Sequence, residues 1–197
     1  MEIINNKEEV PFSYYAGLFA KADPKEMADR LGLSFTDHAF SVTMLGKRYT
    51  VTHPEAEITP AAPIPAQTFL LRYLLEGKTV PFRGEYKTFR EMPWGELYIK
   101  PYTGRVLTRA AFTFGTRVEA FRAAGEKLGG LPLQHGDAGF EFSLIGDYRI
   151  RIQVWAGDEE FPPNAQVLYS DNFAEGFAAE DRVVAGDILI STIKANM

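Results

Sequence analysis

The 197-residue chain contains no cysteine. Disulfides, thiolate zinc sites, iron–sulfur ligation and cysteine nucleophiles are therefore excluded on this chain. The absence is compatible with a reducing cytoplasm, the compartment we expect. Long apolar runs are missing too. The longest are short, such as Phe69-Leu70-Leu71, so no membrane span is expected. The opening residues Met1 to Lys7 carry no apolar stretch of signal-peptide length. There is no Lys/Arg-rich run, and the net charge is −5. That balance argues against nonspecific binding to nucleic acid. The familiar catalytic signatures are also absent: no GxGxxG, Walker A, HExxH or GxSxG pattern occurs. Leu128-Gly129-Gly130-Leu131 ends a helix and does not open one, so it is no phosphate loop.

What is present is an ordinary globular mixture, 46% hydrophobic and 24% charged. It predicts one domain over residues 1–197 with a helical N-terminal segment over 1–34. Phe12, Tyr15, Leu18 and Phe19 have helical spacing. Asp23-Pro24-Lys25-Glu26 supplies an N-cap acid, a proline at the first helical position and a glutamate at the third, with Gly32 as the stop. Alternation at Phe40, Val42 and Met44, then at Tyr49 and Val51, predicts a hairpin that pairs Met44 with Tyr49 and Val42 with Val51. A proline-rich loop (Pro54, Pro60, Pro63, Pro65) leads to a helix over about 66–76 ended by Gly77. A helix is expected over about 102–114. Thr116-Arg117-Val118-Glu119 reads as a capping box opening another.

A second hairpin alternates Phe140, Phe142 and Leu144 against Tyr148, Ile150, Ile152 and Val154. A plain two-residue loop would mix its faces, which predicts a three-residue loop or a bulge near Gly146 and sets Glu141 opposite Arg151. A fifth strand is expected over 165–170 and a nearly apolar helix over 181–194. Such a helix packs into the body or into a partner, so a homodimer is one way to cover it. The sum is an α+β fold: an antiparallel sheet of about five strands built from hairpins, packed with four to five helices.

Three groups of side chains could form a site. The strand pattern before Trp155 ends in Asp158, Glu159, Glu160 and a Pro-Pro pair. Clustered acids there, joined by Asp171 or Asp181, could hold a hard cation or work as an acid/base pair. A solvated turn in which one acid caps the backbone and another pairs with an arginine is the simpler explanation. The segment Arg83, Glu85, Arg90, Glu91 and Trp94 could hold an anion and stack on a planar ligand, or could pair internally. Arg149, Arg151, Gln153 and Trp155 share one sheet face, whose tryptophan needs a cover, most simply a helix of the same chain. The histidines, His38, His53 and His135, lack close metal-ligand spacing, and we assign no metal site.

Two stretches, Gly84-Glu85-Tyr86-Lys87-Thr88-Phe89-Arg90-Glu91-Met92-Pro93 and Trp155-Ala156-Gly157-Asp158-Glu159-Glu160-Phe161-Pro162-Pro163-Asn164, frame Leu128-Gly129-Gly130 and Asp137 and are followed by Glu180-Asp181. In this order they resemble domain-of-unknown-function family 3786, found largely in anaerobic bacteria, from about residue 40 onward. The resemblance implies a soluble cytoplasmic domain. In some relatives it implies an attached cysteine-rich iron–sulfur domain of a type also seen in corrinoid proteins, from which this cysteine-free chain departs. It implies no activity, no cofactor and no catalytic residues. Three functions remain open from the sequence. The first is noncatalytic binding of a small molecule or protein partner at Arg83, Glu85, Arg90, Trp94, Trp155, Asp158, Glu159 and Glu160. The second is a hydrolase or lyase with paired carboxylates, with or without a divalent metal. The third is an accessory role in an anaerobic redox or corrinoid/tetrapyrrole system, which rests on the resemblance alone.

Overall fold

The computed structural model describes residues 8–197; the first seven residues of the expected N-terminal helical segment lie outside it. The fold is α+β with antiparallel strand pairing throughout the described ladders. The chain divides into two compact units, one ending at Thr79 and the other spanning Val80–Met197.

The first unit opens with α1 (Glu9–Phe19) and α2 (Pro24–Leu31). Asp23 caps α2 by accepting a 2.8 Å bond from the Lys25 amide, and Gly32 closes it in the left-handed region at φ 62°. Next come β1 (Phe35–Thr36), β2 (Ala39–Met44), β3 (Lys47–Thr52) and β4 (Ile58–Thr59), in the spatial order β4, β3, β2, β1. The β2–β3 hairpin is tighter than its sequence predicts. Met44 pairs with Lys47, Val42 with Tyr49 and Phe40 with Val51. The turn is Leu45-Gly46, with both residues at positive φ (48° and 75°), a geometry whose twist suits two-residue hairpins. The slip from the expected register is two residues, so every side chain keeps its face. Helix α3 (Ile64–Glu76) ends at Gly77, and Arg30 bonds the carbonyls of Leu74, Leu75 and Gly77 at its C-terminus.

The second unit begins with β5 (Tyr86–Thr88) and a 3-10 turn, Phe89–Glu91. Twenty residues of helix follow: α4 (Gly95–Tyr102), a π-helical stretch over Thr103–Thr108, and α5 (Arg109–Phe114). The expected helix over 102–114 is thus the second half of a longer one. Pro101 hid the first half, since proline normally ends a helix, and the regular bonding gives way to the wider π pattern directly after it. Helix α6 (Val118–Lys127) follows without its expected cap. Arg117 is the N-cap residue, and the Thr116 hydroxyl turns back to donate to the Phe112 carbonyl at 3.0 Å. The true capping box is at Thr88 and Glu91, where the Glu91 carboxylate accepts from the Thr88 amide and hydroxyl, both at 2.7 Å.

Strands β6 (Leu131–Pro132), β7 (Ala138–Ile145), β8 (Tyr148–Trp155) and β9 (Asn164–Ser170) complete the sheet in the order β6, β7, β8, β9, β5. A bulge between Ser143 and Ile145 puts Glu141 opposite Arg151, as the face argument predicts. The short helix α7 (Phe173–Gly176) leads to α8 (Ala179–Lys194). The apolar side chains of α8 are buried: Val183, Ile188, Leu189, Ile190 and Ile193 all belong to the core. That surface needs no partner chain to cover it. The strands beyond the expected five are two or three residues long, too short to show a period of two.

Candidate functional site

In the second unit, β8 delivers Trp155 to a position shared by two clefts. One, of about 440 Å³, is lined by Thr88, Phe89 and Arg90, by Ile99, Tyr102, Thr103 and Leu107 of the long helix, and by Trp155 and Asn164–Val167 of the sheet. The other, of about 460 Å³, is bounded by Trp155, Ala156 and the Phe161–Asn164 turn. Both fall in the size range of small-molecule sites, about 300–1,000 Å³. The π-helical stretch supplies Thr103 and Leu107 to the wall of the first. Such stretches recur at functional sites, because the widened turn displaces side chains from their regular rows.

The walls are held by close packing. A Cβ on Gly115 would lie 2.6 Å from Pro163 Cβ and 2.8 Å from the Trp155 carbonyl oxygen, so α5 rests directly on the end of β8 and the Pro-Pro turn. Behind the first cleft, the Phe89 and Tyr102 rings stack at 4.0 Å. Arg182, 1% exposed, anchors the segment that carries Phe89. Its guanidinium donates to the carbonyls of Phe177 (3.1 Å), Ala178 (3.3 Å) and Pro93 (2.9 Å). Burial pushes the Tyr102 hydroxyl well above its usual pKa and Tyr169 likewise, so both stay neutral, and the Tyr169 hydroxyl donates to the Arg182 carbonyl at 2.9 Å.

The expected site residues separate into two sets. Arg90 and Trp155 come together at the first cleft. Arg90 pairs with Glu96 at 3.0 Å, not with Glu91. Arg83 pairs with Glu175 at 2.9 Å, not with Glu85, while the Arg83 and Glu85 amides donate to the buried Asp171 carboxylate. Trp94 is 69% exposed in the left-handed region and lines neither cleft. Asp158, Glu159 and Glu160 are exposed. Asp158 Oδ1 accepts from the Glu160 and Phe161 amides at 2.9 and 2.7 Å, which holds its carboxyl below the usual range. Asp171 follows the far end of β9 from this turn, about 20 Å away at roughly 3.3 Å per residue. Among the described residues no cluster of three metal-ligating side chains exists. His53 Nε2 lies 3.1 Å from both the Phe19 and Ala22 carbonyls, a structural role.

The two arginines of the polar sheet face have their own cover. Arg151 stacks 3.6 Å from the Tyr86 ring centroid and Arg149 lies 5.1 Å from that of Phe82, so the aromatic residues at and before the start of β5 lie over both arginines. Both also bond Glu141, Arg149 at 3.2 Å and Arg151 at 2.9 Å. The Tyr86 hydroxyl lies against Glu141 without good hydrogen-bond geometry; burial and the nearby carboxylate push its pKa up to about 12.

Sequence reading missed Ile99, Tyr102, Thr103, Leu107, Asn164, Gln166 and Val167 as cleft residues. Arg90 and the junction at Trp155 were legible, the latter because a strand pattern that ends in an aromatic and a Pro-Pro marks a sheet corner. No curated protein and no solved structure matches this chain. A family model, Domain of unknown function (DUF3786), matches residues 23–192, starting earlier than the resemblance at about residue 40. The chain belongs to the DUF3786 family.

Proposed function

We propose that this domain is a noncatalytic binding module that takes a planar or extended ligand in the cleft between Phe89-Arg90 and Trp155. The carrying observation is the cleft itself. It sets a guanidinium, Arg90, and an indole, Trp155, in walls of aromatic and aliphatic side chains with Thr88, Thr103, Asn164 and Gln166 as the polar groups. Arg90 is exposed and its partner Glu96 is equally free to move, so the cation is available to an anion at little cost. The exposed acids of the Asp158 turn serve the backbone and leave paired-carboxylate chemistry without a supporting observation.

The chain has two tryptophans, so a Trp94→Phe background leaves Trp155 as the sole indole reporter. The planar anion 1-anilinonaphthalene-8-sulfonate is the probe. Energy transfer from Trp155 to the bound dye is expected. Replacing Trp155 with alanine should weaken dye binding about tenfold, equivalent to about 1.4 kcal/mol. Equal binding to both variants, or none, overturns the reading. Native mass spectrometry of protein purified without air from its own host adds the ligand mass and, for a tetrapyrrole, an absorbance band.

A further inference from the structure

Strand β9 is longer than the partner that covers its outer side. β5 pairs only with Leu168–Ser170, because the Thr88–Glu91 capping box turns the chain off the sheet. Asn164–Val167 pair with β8 alone, and all four residues line the cleft. Strand alternation fixes which main-chain groups face that open side. The Asp171 amide points to β5 and donates to the Glu85 carbonyl at 3.0 Å. Alternate residues point the same way, so the Ala165 carbonyl and the Val167 amide face the cleft. The Ala165 amide faces it too and is taken at 2.8 Å by the side-chain oxygen of Asn164. That oxygen stands where an incoming strand would place a carbonyl.

We infer that the occupant of the cleft is a short extended peptide segment that adds to the free edge of β9, antiparallel to it and in line with β5. The inference rests on the cleft reading above and supplies its ligand class. Main-chain bonds to Val167 N–H and Ala165 C=O fix the segment's register, as in strand addition generally. Side chains opposite Ala165 and Val167 turn toward Phe89, Ile99 and Leu107, which select apolar residues. The side chain between them turns to the face that carries Gln166 and Trp155, since Trp155 lies across from Asn164.

The test is a phage-displayed random heptapeptide library selected on the whole chain. Enriched sequences with apolar residues at alternate positions are expected. A synthetic peptide of the enriched sequence should slow hydrogen exchange at the Val167 amide at least tenfold. N-methylation of its central amides should weaken it at least tenfold, and so should Val167→Pro, a change that edge strands tolerate. The exchange measurement needs no variant, so a misfolded proline variant leaves the test intact. No enrichment, or a peptide that binds without slowing exchange at Val167, overturns strand addition. If the planar dye still binds in a Trp155-dependent way in that case, the cleft reading stands and only the peptide assignment falls. If neither dye nor peptide engages, both fall.

Discussion

At the scale of single residues, two buried charges organise the second unit; Glu141 is legible through its register with Arg151, whereas Arg182 has no sequence signature. Arg182 sits in a helix that reads as apolar all round, yet it ties the Pro93 carbonyl to the start of α8. Glu141 is 8% exposed and holds two arginines from the neighbouring strand. Removing its charge would leave Arg149 and Arg151 without a carboxylate, though both heads are exposed enough to recover water. We therefore expect Glu141→Gln to cost about 1–2 kcal/mol, below the value for a fully buried pair. Urea denaturation at neutral pH checks this, and a loss under about 0.5 kcal/mol would show that the pairs are surface pairs in energy as well as exposure. Gly115 gives a second prediction. With its Cβ position already filled by Pro163 and the Trp155 carbonyl, Gly115→Ala must push α5 off the Pro-Pro turn. It should destabilise by about 1–3 kcal/mol and shift Trp155 fluorescence in the Trp94→Phe background. A melting temperature and emission maximum that both stay put would refute that contact.

At the scale of elements, legibility followed length and periodicity. The five long strands, the Glu141–Arg151 register and the Asp23 cap were readable because each repeats a short-range rule over several residues. The long helix through 95–114 was half-hidden because one local rule, the proline break, is overridden by packing on both sides of Pro101. The two threonine boxes show why a four-residue pattern is not enough. Thr88 and Thr116 both precede a glutamate by three, but only Thr88 is an N-cap residue; at α6 that place falls to Arg117, and the Thr116 hydroxyl bonds the Phe112 carbonyl instead. Asp23→Ala should then cost about 1 kcal/mol and Thr116→Ala clearly less, since Thr116 caps nothing. Comparing the two in one denaturation series decides the matter; equal losses would mean that Thr116 does cap α6 in solution. The cleft was hidden for the same physical reason as the helix. Its floor is a strand edge left free by a three-residue neighbour, and strand pairing is a nonlocal property.

At the scale of the whole molecule, the perturbed groups define a pH window for stability. The Glu141 carboxyl is raised by burial, but Tyr86, Arg151 and Arg149 outweigh this and hold it below its ordinary value. A depressed carboxyl contributes stability that is present above about pH 5 and lost as pH falls below about 4 through the folded value. On the alkaline side, Tyr86 rises to about 12, chiefly by burial, and Tyr49, Tyr102 and Tyr169 are raised by burial as well. A raised phenol stabilises the fold below about pH 10, its unfolded value, and that stability disappears as pH climbs toward 12. Unfolding free energy should thus be flat from about pH 5 to 10 and fall at both ends. Tyr86→Phe should remove part of the alkaline slope and also weaken the acid limb, because the phenol helps hold Glu141 low, whereas Glu141→Gln should flatten the acid limb. It should also soften the alkaline one, because the carboxylate is part of what lifts Tyr86. That cross-effect separates a coupled Tyr86–Glu141–arginine cluster from independent groups: if Glu141→Gln changes only the acid limb, the phenol is raised by burial alone.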